Sequence, residues 1–192
     1  MGLPYIIATL ARRGLLKPGS PVRVAAQLNA LRKWGFNLAG ELRQATARDP
    51  ERPALIDERR GPITYGQLLD RSERLARALR AALDLRPGDR IGVLCRNHNG
   101  LVEAAIANTV LGVDTVLINT GLSGPQLAVV AAEQRLRALL YDTEFSERVS
   151  SVGANVERID ENRYEALLGT APAGEVKPPA REGRIIVLTS GT

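Results

Sequence analysis

The residues best suited to chemistry stand together at positions 189–192. Thr189-Ser190-Gly191-Thr192 follows the apolar run Arg184-Ile185-Ile186-Val187-Leu188 and combines three hydroxyls with a glycine. Hydroxyls donate hydrogen bonds to anionic oxygens. A residue without a Cβ lets the backbone approach an anion closely, and successive N–H groups in such a turn form a concave anion site. This is positioning and electrostatic chemistry, with no general base in it. Taken alone, four small polar residues after a strand also describe an ordinary loop. The segment is not a Walker loop, and no strand is followed by GxGxxG. Cys95 and His98 are the single residues of their types, which excludes a disulfide framework, a multi-Cys metal site and a His-rich metal centre. Cys95 closes an apolar run and reads as a small buried hydrophobe rather than a nucleophile. His98 follows that run and either approaches a ligand or starts a helix.

The elements that must position these residues alternate regularly. Ala54–Asp57 and Pro62–Tyr65 flank Glu58-Arg59-Arg60-Gly61 as a hairpin. Thr64-x-x-Gln67 matches a capping box and opens a helix with Leu68, Leu75, Ala76, Leu79 and Leu83 on one face and Arg71, Arg74, Arg77 and Arg80 outside it. Ile91–Cys95 is an unbroken apolar run, as in a parallel strand buried on both faces. A nearly all-apolar helix over Leu101–Leu111 stops at Gly112. A strand at Thr115–Ile118, a helix opened by the box Ser123-x-x-Gln126, and a strand at Ala138–Tyr141 follow. A helix over Glu144–Val152, a strand at Val156–Ile159 and a short helix to Leu168 lead into the Pro- and Gly-rich loop 169–183, then the final buried strand, 184–188. Strands separated by helical crossovers imply an α/β fold, a mostly parallel sheet with helices on both faces. In such sheets ligands bind at the carboxyl ends of the strands, where Thr189–Thr192 would sit.

Hydrophobic residues make up 44% of the 192 positions, enough for a real core, and aromatics only 4%, too few for base-stacking platforms. No apolar run reaches the length of a membrane span. The net charge of +5 is local: residues 1–50 hold eight Lys/Arg against Glu41 and Asp49, while the remainder is nearly neutral. That distribution argues against a nucleic-acid groove across the fold. Residues 1–50 therefore form a basic, amphipathic helical leader, and 51–192 a separate α/β segment. The leader has no basic region before Tyr5 and no cleavage site, so it is not a signal peptide. It either packs on its own domain or lies on an anionic membrane through residues 1–35. Trp34 and Phe36 are expected to anchor it to the body or to lipid. One cysteine fits a reducing, cytoplasmic setting, peripheral at the inner membrane surface if the leader binds lipid.

Five segments in order carry a resemblance. Pro53-Ala54-Leu55 with Ile63-Thr64-Tyr65-Gly66-Gln67-Leu68, Pro87-Gly88-Asp89-Arg90-Ile91, Arg96-Asn97, Leu111-Gly112-Val113 through Ile118-Asn119, and Leu188-Thr189-Ser190-Gly191-Thr192 resemble the N-terminal part of the adenylate-forming (AMP-binding) superfamily. The turn Arg96-Asn97-His98 and the basic leader resemble its fatty acyl-CoA ligase branch most. Asn119-Thr120 departs from the family's usual Asn-Pro. The resemblance implies an ATP-dependent acid–thiol ligase. A fatty carboxylate and ATP give acyl-AMP and pyrophosphate, and coenzyme A then forms the thioester, with Mg²⁺ offsetting the repulsion of carboxylate and phosphate. It implies that Thr189, Ser190, Gly191 and Thr192 cradle the β- and γ-phosphates. The family's adenine, metal and ribose segments and its C-terminal lysine find no match, so residues 1–192 alone are expected to be inactive. The alternative is a truncated, non-catalytic homologue serving as a membrane-surface or partner-binding module. A flavodoxin-like or nicotinamide-binding domain is disfavoured by the missing glycine fingerprint.

Overall fold

A computed structural model describes residues 3–13, 20–57 and 61–188. The chain divides into two compact units, one made of Met1–Leu55 with Pro62–Leu69, the other of Ile56–Gly61 with Asp70–Thr192. In the first, α1 (Leu3–Arg12), α2 (Pro21–Trp34) and α3 (Leu38–Arg48) are the helices. Gln27 and Gln44 meet across α2 and α3 in a buried hydrogen bond of 2.8 Å. β1 (Pro53–Asp57) and β2 (Gly61–Thr64) pair as a two-stranded sheet, and the turn at Glu58-Arg59-Arg60 lies outside the described residues. The box that opens α4 (Tyr65–Leu83) is complete. Gln67 Oε1 accepts from Thr64 N at 2.9 Å, and Thr64 Oγ1 accepts from Gln67 N at 3.2 Å.

The second unit is built on β3 (Arg90–Leu94), β4 (Asp114–Leu117), β5 (Ala138–Tyr141), β6 (Glu157–Ile159) and β7 (Ile185–Val187). Every pairing is parallel, and the order is β6-β5-β3-β4-β7. Right-handed crossovers then decide where the helices go. The chain steps one way from β3 through α5 (Asn99–Leu111) to β4. It steps the other way through α6 (Gly124–Glu133) to β5 and through α7 (Ser146–Val149) to β6, so α5 and the α6–α7 pair cover opposite faces. Phe145, Leu127, Leu139 and Val116 are fully buried in the core on the α6–α7 side, each contributing roughly 1.5–3 kcal/mol by leaving water. Gly92 makes that packing possible, since a Cβ there would sit 2.7–2.9 Å from side-chain atoms of Leu136, Ile118 and Leu139. Gly112 ends α5 at φ +72°, a left-handed cap that other residues resist.

On the opposite face a buried carboxylate joins three helices. Glu103 of α5, fully buried, accepts from Arg71 Nε of α4 at 2.8 Å and from Tyr164 Oη of α8 (Glu161–Gly169) at 2.6 Å. Arg71 also donates to Glu165, and Arg74 and Arg77 donate to the carbonyls of Leu168 and Pro172. The spacing placed these arginines on the solvent side of α4. Three of the four instead reach across to hold α8 and the loop after it, because a long guanidinium can leave its own helix face.

A second correction concerns the last strand. β7 lies in the sheet as expected but at its edge, with Ile185 47% and Val187 65% exposed, not buried. Within the described residues β4 is its single partner, so its other hydrogen-bonding edge stays open. Its amino end is fixed by Asp114. That buried carboxylate accepts from Arg184 N at 3.0 Å, from Arg184 Nη2 at 2.7 Å and from Arg181 Nη1 at 3.0 Å. Burial alone would raise its pKa. The hydrogen bonds from Arg184 and Arg181 outweigh that and hold the carboxyl well below the usual carboxylate range. A depressed folded pKa gives stability that is complete above the ordinary value of about 3.9 and drains away as pH falls below it. Thermal melts should therefore lose stability below about pH 4, and Asp114→Asn should flatten that acid limb while costing about 1–2 kcal/mol at neutral pH. An unchanged acid limb in the variant would show that Asp114 is not the group responsible.

Candidate functional site

All five parallel strands point their carboxyl ends to one edge, where two regions of different electrostatic character lie. The first is the crevice between β3 and β5. Here the chain leaves β3 toward α5 on one face and leaves β5 toward α7 on the other, a topological switch point of the kind where α/β sheets bind ligands. Asp142, buried, closes β5 and bonds across the crevice. Its Oδ2 accepts from Arg96 N at 2.7 Å and its Oδ1 lies 2.7 Å from His98 Nε2. His98 Nδ1 accepts from Gly100 N at 3.0 Å. One ring nitrogen must therefore be the acceptor, and the network assigns the neutral ring's proton to Nε2, donated to Asp142. His98 is the N-cap of α5. Of its two sequence readings, the helix start is realised.

Cys95 lies beside this pair, its Sγ, a His98 ring nitrogen and an Asp142 oxygen all within 4.8 Å of one another. Burial pushes the thiol pKa far up, and the negative Asp142 pushes it further. The thiol stays protonated, as the sequence reading of an inert cysteine requires. Residue types and distances allow a metal, but the tautomer opposes one. A cation on Nε2 would move the ring proton to Nδ1, against the Gly100 N–H. The trio thus fastens the ends of β3 and β5. It borders a cavity of about 50 Å³ lined by Asp57, Asp142, Asp160 and Glu161, with Leu140, Ile159 and Tyr164 as apolar walls. The other carboxylates, like Asp142, have structural work: Asp57 accepts from Asn99 N at 2.9 Å, Asp160 caps α8 through Arg163 N at 2.9 Å, and Glu161 Oε2 accepts from Thr143 N at 3.4 Å. Four carboxylates with no Lys or Arg among the lining residues make this crevice hostile to a polyphosphate.

The second region lies at the ends of β4 and β7. Val116 pairs with Ile186 and Leu117 with Val187, so Leu188 leaves the sheet at the carboxyl edge beside Ile118-Asn119. Thr189, Ser190, Gly191 and Thr192, the predicted anion cradle, lie outside the described residues. What surrounds their point of departure is legible. No Asp or Glu occurs between Thr115 and Ala132 or between Ile185 and Leu188. Asn119 Oδ1 turns the chain by accepting from Gly121 N at 2.8 Å. Gln126 Oε1 accepts from Ser123 N at 2.9 Å, the expected box at the start of α6. The amino end of α6 brings the partial positive charge of its dipole to this edge, although Pro125 has no N–H and the Gln126 N–H is taken by Ser123.

Sequence reasoning did not single out Asp142 or Asp114. Each stands at one end of a short apolar run, and Asp142 precedes Thr143-Glu144 in an N-cap position, which is the signal that could have marked it.

Residues 42–192 match the family described as "AMP-binding enzyme". The chain is 29% identical to long-chain fatty acid transport protein 1 of Mus musculus, over 77% of this chain and 23% of that protein. Among solved structures it is similar to the O-succinylbenzoate coenzyme A synthetase of Bacillus subtilis in complex with ATP and magnesium ion, with TM-score 0.60 and 32% identity, covering 73% of this chain and 36% of that one. It also resembles in fold a Mycobacterium tuberculosis fatty acyl CoA synthetase, with TM-score 0.72 and 22% identity, covering 80% of this chain and 32% of that one. The chain thus spans roughly a quarter to a third of the length of these relatives.

The crevice geometry makes one outcome specific. Folded protein at pH 8 should react with a disulfide reagent at Cys95 at least about a hundred times more slowly than denatured protein, since the reagent needs thiolate. Equal rates would mean that the thiol is neither buried nor held neutral.

Proposed function

This chain belongs to the family of AMP-binding enzymes, and from that premise we propose that it forms the N-terminal part of an ATP-dependent acyl-CoA ligase acting on a fatty acid. In the first half-reaction the carboxylate attacks the α-phosphorus of ATP and pyrophosphate departs. In the second the thiol of coenzyme A displaces AMP and gives the thioester. Two anions must meet in the first step, so the enzyme has to supply fixed donors and Mg²⁺ where pyrophosphate carries its charge. Thr189, Ser190, Gly191 and Thr192 are proposed as those donors toward the β- and γ-phosphates. The observation that carries this reading is the charge division at the carboxyl edge. The β3–β5 crevice is walled by carboxylates, whereas residues 115–132 and 185–188, which carry the carboxyl end of β4, β7 and the start of α6, contain none. The fatty-acyl choice is supported by the likeness to a long-chain fatty acid transport protein and by the basic leader. A cytoplasmic setting is supported by the inert thiol of Cys95.

A second reading, compatible with the first, gives residues 1–35 a peripheral contact with a membrane. No helix of the described residues is long and apolar enough to cross one. Supporting surface contact are the cation excess of the first fifty residues and the exposed Tyr5 and Val22.

The test is carboxylate-dependent ATP–pyrophosphate exchange by a polypeptide carrying residues 1–192 in continuity with the remaining length of the family's enzymes. Exchange with a long-chain fatty acid is expected, and Thr189→Ala or Thr192→Ala should each lower kcat/KM for ATP by about 10²–10³. Exchange with aryl acids alone overturns the fatty-acyl assignment, and no exchange with any carboxylate overturns the ligase. Residues 1–192 alone are expected to give none, and robust exchange by them would show that further segments are dispensable.

A further inference from the structure

The α2–α3 hairpin of the first unit displays an aromatic side chain that the local structure goes to some length to hold outside. Gly35 N donates to Leu31 O at 2.9 Å. Asn37 Oδ1 accepts from Ala39 N and Gly40 N, both at 3.1 Å, and Asn37 Nδ2 donates to Trp34 O at 2.7 Å. The turn between the helices is therefore tied on both sides, and Phe36 stands between the ties, 66% exposed. It is not a core residue lacking room: two positions earlier Trp34 is buried, with the Arg43 guanidinium 3.4 Å over its ring. The expectation that Trp34 and Phe36 act together as anchors is thus split. Trp34 packs inward and Phe36 faces out.

Charge surrounds that tip. Arg32 and Lys33 are exposed on the last turn of α2, and Val22, Ala26, Asn29 and Lys33 make an exposed stripe at helical spacing. α2 contains no acidic residue, and Glu41 is the single carboxylate between residues 1 and 48. A protruding ring flanked by cations complements a surface that is apolar inside and negative outside. Phe supplies the buried area, and Lys/Arg supply attraction to anionic headgroups. An acidic protein groove would match the charge, but it would not call for an aromatic projecting beyond it.

We propose that the α2–α3 hairpin docks on an anionic lipid bilayer, with Phe36 seated at the boundary of headgroups and acyl chains and Arg32 and Lys33 against the headgroups. This rests on the membrane-contact reading of residues 1–35 and extends it to Phe36. It does not depend on the ligase reading, and its assay involves neither nucleotide nor carboxylate.

The 192-residue chain is floated with phosphatidylcholine vesicles with and without phosphatidylglycerol, at low and high salt. Co-flotation is expected with the anionic vesicles alone and should weaken with salt. Arg32→Gln and Lys33→Gln should each lower the partition coefficient about fivefold, and Phe36→Ser about tenfold or more, with the circular dichroism of every variant unchanged. Trp34 is the only tryptophan, so quenching of its fluorescence by brominated acyl chains should accompany binding and vanish with Phe36→Ser. Flotation with neither vesicle, equal flotation with both, or anionic binding indifferent to all three substitutions and without Trp34 quenching would each overturn the proposal. The first outcome would leave the tip to a protein partner.

Discussion

The sheet's far edge depends on one buried carboxylate. Asp114 opens β4 and accepts from the backbone and guanidinium of Arg184, immediately before β7, and from Arg181 in the loop that precedes it. A three-residue edge strand with two exposed apolar side chains has little hydrophobic reason to hold its register. A charge-assisted fork at its amino end supplies one. With that end pinned, Val116 meets Ile186 and Leu117 meets Val187, and the chain can leave the sheet only at the carboxyl edge. The fifteen-residue stretch of loop between α8 and β7 thus ends in a fixed register, and Leu188 leaves the sheet at the carboxyl edge.

At that edge, strand order separates charges that are mixed in the sequence. Asp57, Asp142, Asp160 and Glu161 are scattered over more than a hundred positions, yet they converge on one cavity because β5 and β6 lie on the far side of β3 from β4. The segments that leave β4 and β7 at the rest of the edge, residues 118–132 and Leu188, carry no carboxylate. Repulsion of an anion in such a partly buried crevice is only weakly screened. The same crevice shows how a set of catalytic residue types can be structural. Cys, His and Asp lie within reach of one another, but every lone pair and proton on the histidine already has a partner in the backbone or in Asp142.

Much of the fold was legible because its signals are local. Both capping boxes lie within four residues, Gly112 stops a helix of continuous apolar character, and the strands are short apolar runs with helices between them. His98 and Cys95 were legible for the same reason, as a cap and a half-buried, inert thiol. The arginines of α4 were not. Their periodicity places them outside the apolar stripe, and nothing within one helix reveals that Glu103, 32 positions from Arg71, or Leu168, 94 positions from Arg74, waits for them. The exposure of β7 was hidden likewise, because an apolar triplet reads the same at the centre of a sheet and at its edge.

By itself, then, the sequence determined element types, their alternation, the parallel character of the sheet, and the family whose chemistry is at stake. Each of these follows from neighbours within a turn or a run, or from ordered motifs. Only the tertiary structure decided the strand order, and with it the switch-point crevice, the convergence of four carboxylates there, the role of Asp114, and the outward stance of Phe36. Those depend on pairings between residues far apart along the chain. Their free energy is set by burial and by partners that no local window contains.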